Sequence, residues 1–268
     1  MSARHLIAPS ARNLMDVWLP PLCLLLAVCI LWQLGMSNDI VSGMLLPRPT
    51  GVISYGVDNI AMLSAQALFT AWQAAASLLL AAFLGITAGT LIFASSIARD
   101  TFYPIILVLQ VLPKVAMAPL FVVWLGTGDT ARIAFGAFLA FFPVLLATTT
   151  GLEQTPQYAL RLCRSLLTTP AQTFCFVRVP YALLHIFSGL RIAATLAVTG
   201  VVIGEFMTAS RGLGYVIIDA SNRIDSKALF AALMMLCIVG LVLFGLVVLV
   251  QRAFKAWYFG QSNYAGGA

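Results

Sequence analysis

Residues 155–191 read TPQYALRLCRSLLTTPAQTFCFVRVPYALLHIFSGLR. The stretch carries Arg161, Arg164, Arg178 and Arg191 and interrupts a chain that is otherwise mostly apolar. Thr155-Pro156 and Thr169-Pro170 each read as a helix N-cap followed by proline at the first helical position. Pro180 then predicts a break before the next apolar run. Two short helices and a bend are therefore expected. At about 100° per residue, Gln157, Arg161, Arg164, Ser165 and Thr168 gather on one side of the first helix. Tyr158, Ala159, Leu162, Cys163, Leu166 and Leu167 fill the rest, which makes the helix amphipathic. Two roles fit that pattern: a basic helix lying on anionic lipid, or a docking helix for a soluble partner.

Composition places this segment in its setting. The chain has 268 residues, is 61% hydrophobic and 9% charged, and has a mean hydropathy of +0.99. Soluble domains carry about 25% charged residues, so lipid is the expected solvent. The net charge of +6 suits a membrane protein with basic cytoplasmic loops. No long basic run interleaved with aromatics points to nucleic acid. Cys23, Cys29, Cys163, Cys175 and Cys237 are odd in number, have no CxxC pair, and are expected to be free buried thiols. His5 and His185 are too few and too far apart to suggest a metal site.

Six apolar stretches are each near the roughly 20 residues that a bilayer crossing needs. They lie at about 17–36, 69–93, 103–125, 131–149, 189–206 and 229–250. The first follows basic residues, as a leader would, but it is long enough to span. Trp18 and Trp32 sit near its ends as interfacial anchors. One all-α polytopic domain over residues 1–268 is expected, with both termini on the same side. With cytoplasmic termini, the inside carries Arg4, Arg12, Arg99, Arg161, Arg164, Arg178, Arg191, Arg252 and Lys255. The outside carries Arg48, Arg132, Arg211, Arg223 and Lys227, with Asp39, Asp58, Asp129, Glu205, Asp219 and Asp225. The positive-inside rule selects that orientation and makes 151–188 a cytoplasmic loop.

Several separated pieces carry a family resemblance. The loop resembles the E-A-A-x3-G-x9-I-x-L-P form of ABC-importer permeases. In that register Arg161, Leu162 and Cys163 open the motif, Leu167 follows, and Val177, Val179 and Pro180 close it. The spacing is intact, but Arg161 and Leu167 replace the glutamate and the glycine. "LLPRPTGV", "PKVAMAPLFVVWLGTG", "AFFPVLLATTTG", "GLRIAATLAVTGVVIGEF" and "RGLGYVI" resemble, in the same order, the permeases serving nitrate, sulfonates, taurine and pyrimidine precursors. The resemblance covers about Leu45 to Lys255. It implies a type I ABC-importer permease fold in the bacterial inner membrane, working as a homodimer with two ATPase subunits and a periplasmic solute-binding protein. It also implies that the loop forms a coupling helix on the ATPase, with Arg161, Leu162, Cys163, Leu166, Leu167, Val177 and Pro180 as coupling residues.

Lys114 falls near the middle of the third span, between Pro113 and Pro119. An ion mid-membrane costs about 2.5–3.5 kcal/mol on insertion scales. It therefore either faces a translocation pathway, where it would favour an anionic solute, or snorkels to the interface. Glu205, ending the fifth span, either marks the water boundary or serves as a gate or counter-ion, although its depth disfavours a direct pair with Lys114. Gly85 and Gly89, and Gly200 and Gly204, form GxxxG pairs that suit close helix packing. Gly212 and Gly214 suit a turn before a short outer helix.

Catalysis is not expected of this chain. Lys114, Lys227 and Lys255 follow Pro113, Ser226 and Phe254, so none completes the G-x-x-x-x-G-K-[ST] loop. No cofactor is implied, and energy must come from another chain. The expected function is the membrane subunit of an ATP-driven importer that brings a small organic or inorganic solute inward. A stand-alone secondary transporter and a membrane scaffold are the alternatives.

Overall fold

The computed structural model describes residues 14–37, 46–208 and 210–260. Arg4, His5, Arg12, Asp39 and Leu45 lie outside the described residues, as does the side chain of Trp18. The described residues form helices and no strand. In chain order these are α1 (Leu14–Ser37), α2 (Pro49–Asp58), α3 (Ile60–Ala94), α4 (Ser96–Val111), α5 (Ala118–Leu125), α6 (Asp129–Glu153), α7 (Gln157–Ser165), α8 (Pro170–Thr173), α9 (Val179–Thr208), α10 (Leu213–Asn222) and α11 (Ser226–Gly260). Four segments are long and apolar enough to cross a bilayer: Ile60–Ala94, Asp129–Glu153, Pro170–Thr208 and Ser226–Lys255. The expected spans at 69–93, 131–149, 189–206 and 229–250 fall inside them. The expected first span coincides with α1, whose apolar stretch among the described residues runs over Leu26–Gly35.

The third expected span is not one helix. α4 and the segment Lys114–Leu125 meet at 91°. Proline explains the break. Pro113 supplies no N–H and pushes the residue before it out of the helical region. Leu112 is indeed extended, at φ −60° and ψ 136°. A 3-10 turn over Lys114–Met117 follows, and Pro119 sits in the first turn of α5, where no N–H is missed. Lys114 is therefore at a corner rather than in a helix interior.

α3, α6 and α9 form the centre, and small residues set their separation. A Cβ built on Gly200 would lie 2.6 Å from the Cα of Gly136. One on Gly89 would lie 2.8 Å from Cβ of Thr148, and one on Gly85 2.8 Å from Cβ of Val144. The GxxxG pairs on α3 and α9 thus both face α6. Around these contacts Ala74, Ala81, Ala140, Val144, Ala193, Ala197 and Val201 are buried in one cluster. α10 caps the bundle beside α3 and α11, with Val216 and Ile217 buried against Val52 of α2 and Leu63 of α3.

The cysteine expectation is corrected. Among the described residues only Cys163 is buried, while Cys23, Cys175 and Cys237 are exposed. Cys23 and Cys237 lie on the long apolar helices α1 and α11, where lipid can cover what the protein does not, while Cys175 lies in the turn before α9.

The close contact can be tested. Gly200→Leu should destabilise the fold by about 1–3 kcal/mol or more through overpacking, read as a fall in melting temperature in detergent. Gly240→Leu on α11, where no atom lies within 4 Å, should stay within about 0.5 kcal/mol of the parent.

Candidate functional site

α7 begins at Gln157 with Pro156 as its cap, and no side chain caps it. The expected Thr155 cap is corrected: its Oγ1 donates instead to the carbonyl of Leu152, 3.1 Å away, closing the end of α6. The Thr169 cap is present. Its hydroxyl accepts from the Gln172 N–H while the Gln172 side chain accepts from the Thr169 N–H, a complete capping box.

Pro180 does not break the chain as expected. Phe174–Arg178 forms a π turn that runs directly into α9, so that Pro170–Thr208 is one continuous apolar rod. A π turn shifts the hydrogen-bond register by one residue, which lets the helix continue past a proline that donates nothing. α9 therefore starts ten residues before the span read at 189–206.

The two faces of α7 have different uses. Leu160 and Cys163 are buried, at 8% and 9% exposure, and hold the helix to its own chain. Leu162, Leu166 and Leu167 are 61%, 67% and 91% exposed. Tyr158, Leu162 and Leu166 form one wall of a groove of about 610 Å³. Phe176, Val177, Pro180, Tyr181 and Leu184 form the other wall, and Cys163 lies at its floor. The hydroxyls of Tyr158 and Tyr181, 3.2 Å apart, link the two walls. Of the coupling residues named from sequence, Leu162, Cys163, Leu166, Val177 and Pro180 line this one groove, and Arg161 and Leu167 lie beside it on the exposed surface.

Leu167 occupies a backbone position made for glycine. Its φ is +53°. Thr168 N–H donates to Cys163 O at 3.1 Å, and Leu167 N–H donates to Arg164 O at 3.1 Å. Those two bonds are a Schellman closure with Leu167 at C′. The glycine of the loop form that the sequence resembles falls at this residue. A left-handed leucine costs about 1–2 kcal/mol. The geometry has been kept although the residue suited to it has not.

Arg178, read from sequence only as one of the basic residues, ties the loop to the bundle. Its Nη1 donates to the Leu152 carbonyl at the end of α6, 3.1 Å away. Its guanidinium lies 4.8 Å from the ring centre of Phe93 on α3. A cation at a helix C-terminus complements the exposed carbonyls there. Phe93 also stacks on Phe174 at 6.5 Å. Leu152, Ala182 and Ile186 are buried behind these contacts. The turn Phe174–Arg178 is thus fastened to α6 and α3 and runs on into α9.

The other candidates lie elsewhere. Lys114 Nζ is 4.6 Å from the ring centre of Phe142 on α6. Among the described residues it has no ion pair with Glu205. Glu205 is enclosed by protein, at 1% exposure. Thr70 of α3 donates to its Oε1 at 2.8 Å, and the Gly214 N–H donates to its Oε2 at 2.7 Å. The two N–H groups before Gly214 are held as well, Leu213 by Thr70 Oγ1 at 2.9 Å and Gly212 by Gln66 Oε1 at 2.6 Å. Gly212 has φ +105°, and a Cβ there would strike the Glu205 carboxylate. Three successive amides at the start of α10 are captured by α3 and α9, so Glu205 pins the corner between α9 and α10. The i, i+3 pair Asp129–Arg132 is also missed by a count of loop charges. Arg132 is 7% exposed and bonded to Asp129, which in turn accepts from Gln73 Nε2 at 3.1 Å.

Comparison with known proteins adds a family. Residues 52–256 match the family described as the binding-protein-dependent transport system inner membrane component. The chain belongs to that family. It is similar to a probable ABC transporter permease protein of Haemophilus influenzae, at 32% identity, covering 84% of this chain and 92% of the relative. It is 29% identical to the formylaminopyrimidine transport permease protein of Halalkalibacterium halodurans, over 89% of this chain and 96% of that protein. It is 29% identical to the taurine transport system permease protein of Escherichia coli, over 85% of each chain. Its fold resembles a chain of the inward-facing MetNI methionine ABC transporter, with a TM-score of 0.62 and 20% identity, covering 72% of this chain and 96% of that one. The protein is accordingly a multi-pass permease subunit of the inner membrane, and ATP is hydrolysed by a separate ATPase subunit. Family membership sets aside both the stand-alone transporter and the scaffold.

Replacing Leu167 with glycine should relieve about 1 kcal/mol of left-handed strain. The expected result is slower hydrogen exchange at the Thr168 amide, whose bond closes α7.

Proposed function

We propose that this permease takes a small solute from a periplasmic binding protein and passes it into the cytoplasm, as a homodimer driven by two ATPase subunits. Six spans with cytoplasmic termini complete each copy, with α1 as the first and the bent α4–α5 pair as the third. α7 and its groove are the ATPase docking site. One observation carries this reading. A short helix leaves three leucines exposed beside a concave apolar groove, while Leu160 and Cys163 are buried on its inner side and Arg178, on the segment that forms the other wall, is tied to α6 and α3. Such a helix can transmit force because it is held on its inner side and open on its outer side. Lys114, with Pro113 and Pro119 shaping the corner around it, is proposed to line the pathway. The relatives carry names as different as nitrate, riboflavin and bicarbonate transport permeases. Substrate here is accordingly taken as a small organic or inorganic solute, with sulfonates, nitrate, taurine, carboxylates and pyrimidine or related heterocycle precursors as the classes to screen.

Burying a leucine contributes roughly 1.5–3 kcal/mol, and a carboxylate placed in its stead adds a desolvation cost. Leu166→Asp should therefore reduce co-purification of the ATPase at least several-fold and uncouple hydrolysis from uptake. Arg164→Gln, a single exposed charge, should cost little. Intact coupling in Leu166→Asp would remove the docking assignment.

A further inference from the structure

We infer that the ATPase partner presents a carboxylate-bearing element to α7, and that Arg161 and Arg164 select it by charge. The inference rests on the docking role proposed for α7. From Gln154 to Gly204 the sequence contains no aspartate or glutamate. The basic residues of the stretch then divide into two kinds. Arg178 is turned inward onto the Leu152 carbonyl and Phe93, and Arg191 donates to Ser188 Oγ at 3.2 Å. Arg161 and Arg164 are exposed, and neither has a carboxylate within ion-pair distance among the described residues. The nearby acid at the end of α6, Glu153, is already paired with Arg99 at 3.4 Å.

The position of the two arginines matters as much as their charge. Leu160 and Cys163 fix the inner face of α7. At about 100° per residue, the opposite face carries Arg161 between Tyr158 and Ser165, with Leu162 adjoining. Arg164 flanks it. The outward surface is therefore basic on one side and apolar on the other, and the apolar side opens into the groove. A protruding protein element with apolar residues for the groove and acids for the rim fits both halves. A flat lipid surface meets the arginines but leaves a concavity of about 610 Å³ unfilled. Arg161 also stands where the loop form resembled here has a glutamate, so the charge presented to the partner is reversed at that point. Like charges juxtaposed at an interface are strongly unfavourable and exclude wrong partners. An ATPase with a basic docking groove would thus be rejected by this permease.

The test uses the full transporter complex. Permease carrying Arg161→Glu and Arg164→Glu together is co-purified with its own ATPase subunit across a salt series, in neutral and in anionic lipid discs. Arg161→Lys with Arg164→Lys serves as the charge-preserving control, and thermal melting checks the fold. We expect the glutamate pair to retain less than a tenth of the ATPase at low salt in both lipids, the lysine pair to retain nearly all, and parental retention to fall as salt rises. Unchanged retention by the glutamate pair would overturn the charge inference while leaving the docking role in place, provided Leu166→Asp still releases the ATPase. If Leu166→Asp also leaves the ATPase bound, the docking role itself fails. Loss confined to anionic discs would assign the arginines to lipid headgroups and overturn the inference.

Discussion

The backbones of α6 and α9 touch where Gly200 faces Gly136, and nothing larger than hydrogen fits between them. In lipid, burial of apolar surface does not drive helices together, because the tails are as apolar as leucine. Association must come from close packing and from hydrogen bonds. Gly85 and Gly89 bring α3 onto the other side of α6 by the same means. Three helices held this closely define a block, on which α10, α11 and the turn Phe174–Arg178 are anchored, while α1 rests on α2.

The two ends of the block are finished differently. At the α10 end the fastening is polar and enclosed: Glu205, Thr70 and Gln66 hold the amides of residues 212–214. An unsatisfied polar group costs several kcal/mol in hydrocarbon, so this set is stable only when complete. At the α7 end Arg178 grips the last turn of α6 and the ring of Phe93. The π turn before α9 keeps the loop continuous with that helix. α7 adjoins that rod along the shared groove, with Leu162 and Cys163 on one side and Val177 and Pro180 on the other, so α9 is the route by which a push on α7 reaches the block. The bent α4–α5 segment is attached through Arg99–Glu153 at one end, the buried Ile106 against Ile92 and Phe142, and the aromatic contacts of Phe121 at the other end.

Much of this was legible before the structure. Apolar runs and GxxxG spacing report burial and packing directly, because a helix has one periodicity. The position of the amphipathic helix was legible for the same reason. What stayed hidden depended on partners distant in sequence. Nothing local distinguishes Arg178, which meets Leu152 and Phe93, from Arg161, which meets neither. Glu205 looked like a boundary acid because its partners are Thr70, far away in the chain, and a backbone amide. Pro113 and Pro180 carry the same local signal and had opposite outcomes: one breaks a helix, while a π turn absorbs the other. Leu167 shows a further limit, since its left-handed backbone is set by the closure of α7 and not by its own preference.

The central claim is that α7 moves with the three-helix block and not on its own. Pulsed electron-paramagnetic-resonance distances test it directly. Spin labels would be placed at Ser165 on α7 and Thr130 in the first turn of α6, in a cysteine-free background, with labelled permease diluted into unlabelled chains. On a rigid block, the distance distribution should be unchanged between nucleotide-free and ATP-bound complexes while uptake proceeds. A shift of several ångströms between those states, or a broad distribution in either, would show α7 swinging free of the bundle and would contradict the account.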